Sequence, residues 1–169
     1  ASTFYSYLTV GGQTSNLVSG ITLAQNKKSY ERLNYKYDTK GNITEVRSNN
    51  ILKNRYEYDS LSRLVREDNK DFGTTTTFDY DGGGNITCKK VYPFTLASNL
   101  NLEQDPIVVP YAYNIEGWKD QLLSYNGEKF EYDLVGNPTT YRNKKLEWTQ
   151  TRQLSAYNIT ESNGEKSAQ

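Results

Sequence analysis

Tyrosine hydroxyls and aspartate carboxylates recur in this sequence at fixed offsets, and these are the groups with chemistry to offer. The recurring phrase is aromatic, any residue, Tyr, Asp or Asn, two residues, then Gly or Ser. It reads Tyr35-Lys36-Tyr37-Asp38-Thr39-Lys40-Gly41 and returns as Tyr56-Glu57-Tyr58-Asp59, Phe78-Asp79-Tyr80-Asp81, Tyr111-Ala112-Tyr113-Asn114 and Phe130-Glu131-Tyr132-Asp133. The fourth position after each anchoring tyrosine holds Gly41, Ser62, Gly84, Gly117 or Gly136.

Metal binding would require the aspartates to converge, because calcium takes about six to eight oxygens. Asp38, Asp59, Asp81 and Asp133 stand one per unit, with no clustered acidic motif, so turn capping is their expected role. Glycoside hydrolysis would require two carboxyls in one cleft, about 5–5.5 Å apart in a retaining enzyme. Glu57 and Glu131 lie between paired rings, and nothing singles out two acids among the 20. The chain has no histidine, which removes the commonest general base and metal ligand together. Cys88 stands without a histidine to activate it and reads as a small strand residue. No catalytic, cofactor-binding or metal-ligating residue is expected, and no cofactor.

The elements that would position these groups follow from the same phrase. Tyr-x-Tyr puts two rings on one face of a strand. Asp or Asn starts a turn by bonding the backbone two residues on, and Gly supplies the positive φ that the reversal needs. The return strand is apolar and β-branched, as in Ile43-Thr44-Glu45-Val46-Arg47. Each unit is therefore a β-hairpin, and consecutive hairpins pair into an antiparallel sheet. A period near about twenty residues means that a single unit cannot bury a core alone. The fold class is all-β, with almost no helix.

Composition agrees. Apolar residues are 35% of the chain, low for an ordinary core, yet there are 15 tyrosines, whose rings can build a thin, half-wet one. Net charge is zero, so neither nucleic acid nor an anionic membrane is an implied partner, and no stretch is long and apolar enough for a membrane span. The absence of methionine and the start at Ala1 point to a piece of something longer. The hairpin region is expected over residues 1–157, with a polar tail or linker at 158–169. Pro93, Pro106 and Pro110 mark an insertion over about 93–110, expected as an excursion at a sheet edge or rim, within which Ile107-Val108-Val109 forms a short strand. Asn42-Ile43-Thr44, Asn85-Ile86-Thr87 and Asn158-Ile159-Thr160 are glycosylation sequons. Trp118, beside Gly117 at a turn, is the candidate ligand contact, since an exposed indole stacks on the apolar face of a sugar; the alternative for the rings in general is stacking between strands to hold the sheet.

Tyr-Asp repeats of this period with a Gly-Asn turn resemble the YD repeats of the Rhs family. Two degenerate copies extend the pattern: Tyr5-Ser6-Tyr7 with Gly11, and Leu146-Glu147-Trp148-Thr149-Gln150-Thr151-Arg152-Gln153-Leu154, which is similar to the family's Trp-x-x-x-Arg-x-Leu variant. The resemblance covers about residues 30–157. It implies a long, curved, spiralling sheet that closes as a hollow shell, of which this chain is a partial wall. It implies enclosure or presentation of a toxin or effector domain, with related shells in insecticidal toxin complexes and teneurins, and a secreted or cell-surface setting, bacterial by preference. A carbohydrate- or protein-binding module using exposed aromatics is the alternative, with a glycan as partner. Asp105-Pro106-Ile107-Val108 does not match the family's self-cleaving Asp-Pro-x-Gly-Leu segment. Open sheet edges imply flanking repeats or self-association as partners.

Overall fold

The structure is a computed structural model and describes residues 1–26, 28–100, 105–142, 144–160 and 166–168. Every regular element among them is a strand. These are β1 (Ser2–Val10), β2 (Gln13–Gln25), β3 (Lys28–Tyr37), β4 (Ile43–Ser48), β5 (Ile51–Tyr58), β6 (Leu64–Asn69), β7 (Thr74–Tyr80), β8 (Ile86–Pro93), β9 (Ile107–Tyr113), β10 (Leu122–Tyr125), β11 (Glu128–Lys129), β12 (Thr140–Tyr141), β13 (Lys144–Trp148), β14 (Leu154–Thr160) and β15 (Lys166–Ala168). Strands β1 to β11 are hydrogen-bonded in chain order in one open sheet, and β12 to β15 in a second. Strand β9 opens with the expected Ile107-Val108-Val109 but runs on through Pro110 to Tyr113, and β8 ends at Pro93, so among the described residues the insertion's irregular chain is confined to the stretch between them. Pairing also reaches past the boundary expected at residue 157, because Asn158 and Ile159 of β14 face Ala168 and Ser167 of β15.

The chain divides into two compact units, one of Ala1–Asp79 with Lys89–Ile107 and the other of Tyr80–Cys88 with Val108–Gln169. In the first, the strands alternate as the phrase requires: Tyr35, Tyr37, Tyr56 and Tyr58 are half-buried while Lys36 and Glu57 between them are exposed. The second repeats this at Tyr111, Tyr113, Phe130 and Tyr132, with Ala112 and Glu131 exposed. Buried apolar side chains are few; among the described residues they are Ala24, Tyr92 and Val109. A sheet with so little interior is held by strand pairing and by ring flanks, which is how a chain of 35% apolar composition stays ordered.

The pairing register shifts at the anchor itself. The irregularity falls between Lys36 and Tyr37, between Glu57 and Tyr58, and between Glu147 and Trp148. Beyond it the anchor pairs with the residue six positions on: Tyr37 with Ile43, Tyr58 with Leu64, Trp148 with Leu154. A bulge at that place raises the local twist and re-aims the side chain that follows it.

Candidate functional site

The aspartate turns share one geometry. In the first, Asp38 N–H donates to Asn42 O at 3.0 Å and Gly41 N–H to Asp38 O at 3.2 Å. Asp38 Oδ1 accepts the N–H groups of Lys40 and Asn42 at 2.8 and 2.9 Å, and its Oδ2 accepts the Asn42 amide at 2.8 Å. Asp81 does the same with Gly83 and Asn85, and Asp133 with Val135 and Asn137. Asp59 accepts Leu61 and Arg63 N–H groups, with the Arg63 guanidinium at 2.6 Å from its Oδ2. Each carboxylate is thus a complete internal cap.

These bonds hold the carboxyls below the ordinary aspartate range. For Asp38 and Asp81 the Asn side-chain amide is the main cause, and for Asp59 the Arg63 backbone N–H. For Asp133 burial pulls upward most strongly, and the Asn137 amide with the turn N–H groups outweighs it. The aspartates are turn parts, and no group of three or more potential metal ligands assembles among the described residues.

Ser62 occupies the glycine slot of its turn at φ 62°, and Arg152 does so at φ 61°. Both accept the left-handed backbone region that costs an L-residue roughly 1 kcal/mol or more. The Arg152 turn belongs to the Trp148 copy, where Thr149 stands in for aspartate. Its N–H donates to Gln153 O at 2.9 Å, and its hydroxyl accepts Gln153 N–H at 3.2 Å. Sequence reading named Trp148 there but missed Thr149, because a hydroxyl in the acid slot breaks the written phrase.

The anchor rings reach backward. Tyr37 OH donates to Val18 O at 2.7 Å and Tyr58 OH to Ile43 O at 2.8 Å in the first unit. In the second, Tyr132 OH donates to Leu122 O at 2.7 Å and Trp148 Nε1–H to Pro138 O at 2.6 Å. Ile43, Leu122 and Pro138 each follow the residue that closes the preceding turn, so the anchor clamps the start of the preceding return strand. Burial raises the phenol pKa of Tyr37, Tyr58, Tyr113 and Tyr132, with the neighbouring Asp38 carboxylate adding to the effect at Tyr58 and that of Asp81 at Tyr113.

The fourth turn departs from the pattern. Asn114 offers a single acceptor oxygen, which takes Glu116 N–H at 3.0 Å, and its amide nitrogen donates to Gln121 Oε1 at 3.2 Å. With no second carboxylate oxygen to close a short loop, closure moves out: Asn114 N–H reaches Gln121 O at 2.9 Å. Gly117 keeps a positive φ of 74°, but the closing N–H expected of it belongs instead to Gln121, which donates to Trp118 O at 3.0 Å. The enlarged turn spans two neighbours. Asp120 accepts the Asn85 amide at 3.2 Å, and Trp118 lies over Gly136, where a Cβ would collide with the indole. Trp118 remains 63% exposed and borders an open cleft of about 400 Å³ with Asp120, Gln121, Leu122, Tyr132 and Gly136.

A second cluster escaped the sequence reading. Asp68, 1% exposed, accepts Arg55 Nε at 2.7 Å and Arg66 Nε at 2.8 Å, and the Thr75 hydroxyl lies 2.9 Å away. Arg66 Nη2 donates to Thr95 O at 2.9 Å, Thr95 N–H donates to Thr75 Oγ1 at 3.0 Å, and Phe94 N–H donates to Gly73 O at 2.9 Å. The chain just after β8 is therefore fastened beside the Lys70–Gly73 turn. Its fasteners come from β6 and β7 and carry no sequence signature.

No protein-family model and no curated protein sequence matches the chain. Solved structures do. The chain superimposes on the Tc holotoxin pore of Photorhabdus luminescens carrying the TccC3 D651A mutation, with TM-score 0.68 and 19% identity over 97% of its own length. It superimposes on TcdB2-TccC3 without the hypervariable C-terminal region with TM-score 0.71 and 18% identity over 96%. The complex TcdB2-TccC3-Cdc42 gives TM-score 0.69 and 17% identity over 97%. The chain spans about 9% of the length of each solved chain. The fold is that of a YD-repeat fragment, an all-β antiparallel sheet of consecutive hairpins.

Proposed function

We propose that this chain is a non-enzymatic wall segment of an Rhs-type YD-repeat shell that encloses or presents a toxin or effector domain encoded outside it, in a secreted protein. The supporting observation is the backward clamp: Tyr58 OH on Ile43 O at 2.8 Å, and its counterparts at Tyr37, Tyr132 and Trp148, use the polar tips of the anchor rings inside the wall. Flanking repeats are the natural partners of β1. No charged residue precedes Lys27, and Phe4, Tyr5, Tyr7 and Val10 on β1 are exposed. Native edge strands are usually guarded by charge or proline, so an uncharged one fits a strand that another strand covers; self-association through it is the behaviour expected of the isolated chain. Electron microscopy of the parent polypeptide tests the reading. Pairing of a further strand on β1 and density inside the wall are the expected result; a free β1 edge in the parent would overturn it.

A second reading keeps Trp118 as a ligand contact. It draws support from the 63% exposure of the indole beside Asp120 and Gln121, a ring face with hydrogen-bonding groups at its rim, as a sugar requires. Glycan-array binding that disappears in W118A is its expected outcome, and an array without signal at high protein concentration would remove it.

A further inference from the structure

The tripeptide Asn-Ile-Thr occurs at Asn42, Asn85 and Asn158, and the fold treats the three amides differently. Asn42 Nδ2 donates to Asp38 Oδ2 at 2.8 Å and to Ser62 Oγ of the next turn at 3.2 Å. Asn85 Nδ2 donates to Asp81 Oδ2 at 3.0 Å and to Asp120 Oδ1 of the next turn at 3.2 Å. A carboxylate only accepts, so the amide nitrogen is the atom that faces it, and both of its hydrogens are engaged. Among the described residues, Asn158 Nδ2 makes one bond, to Glu147 Oε1 at 3.3 Å, and Asn158 is exposed.

We propose that Asn158 is the N-glycan acceptor of this chain, and that Asn42 and Asn85 are closed to modification in the folded protein. In the transfer, Asn158 Nδ2 loses a proton and bonds to the anomeric carbon of a polyprenyl-diphosphate-linked oligosaccharide. The polyprenyl diphosphate leaves with the electron pair of the broken glycosidic bond. The product amide keeps one N–H, which is what its bond to Glu147 needs. At Asn42 or Asn85 the same substitution removes one of two engaged hydrogens and sets a sugar in the seam between adjacent turns. This stands apart from the wall reading, since it rests on hydrogen counting at three identical tripeptides.

The test is to secrete the full chain from a host with a sequon-dependent oligosaccharyltransferase, purify the folded fraction and map glycopeptides by mass spectrometry. A variant carrying Ile51→Thr, which creates an Asn49-Asn50-Thr sequon on an exposed hairpin turn, establishes that the host modifies this chain. The expected result is a glycan on Asn158 that is lost completely in N158Q, with Asn42 and Asn85 bare. A glycan on Asn42 or Asn85 in the folded fraction would overturn the assignment. So would a bare Asn158 in molecules glycosylated at Asn49.

Discussion

The hydroxyl of Tyr58 donates to the carbonyl oxygen of Ile43 at 2.8 Å, and Ile43 is the first residue after the turn that Asp38 caps. One bond therefore ties the anchor of one unit to the return strand of the unit before it. Replacing Tyr58 by Phe leaves the ring and strands that partly buried carbonyl, at a cost of about 1 kcal/mol. Urea unfolding of Y58F should show this, with Y5F, whose ring is 58% exposed, unchanged within error as the control. Equal stabilities of Y58F and Y5F would remove the clamp from the account.

The turn aspartates set an acid limit. Asp38, Asp59, Asp81 and Asp133 all ionise below the ordinary value of 3.8 in the folded chain, so each stabilises the fold fully above the unfolded value and stops doing so as pH falls through its own, lower one. Melting temperature should be flat above about pH 5 and fall below about pH 4. Converting all four to Asn should lower it at neutral pH and flatten the acid slope. An unchanged slope would mean that other carboxyls govern acid unfolding.

Gly136 and Trp118 are coupled. Gly136 sits at φ 85° under the indole, whereas Gly84 sits at φ 98° with nothing within 4 Å of a Cβ. G84A meets only the backbone penalty of about 1 kcal/mol, and G136A meets that and the ring. In a W118A background the two glycine variants should converge. Persistence of the difference there would rule out the indole as its source.

Arg152 points the other way, since it holds a left-handed φ of 61° without being glycine. R152G relieves about 1 kcal/mol of strain, partly offset by the freedom glycine brings to the unfolded chain, for a net gain of about 0.5 kcal/mol. Denaturant midpoints of the two proteins decide the sign.

Arg66 holds the insertion. R66M deprives Asp68 of one partner and Thr95 O of one of its two donors, leaving the Thr75 hydroxyl, and breaking a buried pair typically costs about 3–5 kcal/mol. Amide exchange at Thr95 should accelerate more than exchange at Tyr37. Uniform acceleration would make Arg66 a general stabiliser and not a fastener.

Much of this sheet is legible in residue types alone. Alternation in Tyr35-Lys36-Tyr37 sets which rings share a face and the Asp-to-Gly spacing sets where the chain reverses, because strand geometry and Asx capping act within a few residues. The prolines are a poorer guide, since Pro93 ends β8 and Pro110 lies within β9. What the tertiary structure alone decided lies between units. A hydroxyl's acceptor on the preceding return strand, the indole of Trp118 over Gly136, and the Arg55–Asp68–Arg66 cluster under Thr95 each join residues about ten to thirty positions apart, and local preference carries no record of such partners. The same holds in part for the three Asn-Ile-Thr tripeptides. The aspartate four residues before Asn42 and Asn85, missing before Asn158, is visible in the sequence, whereas folding brings Ser62 to the first, Asp120 to the second and Glu147 to the third.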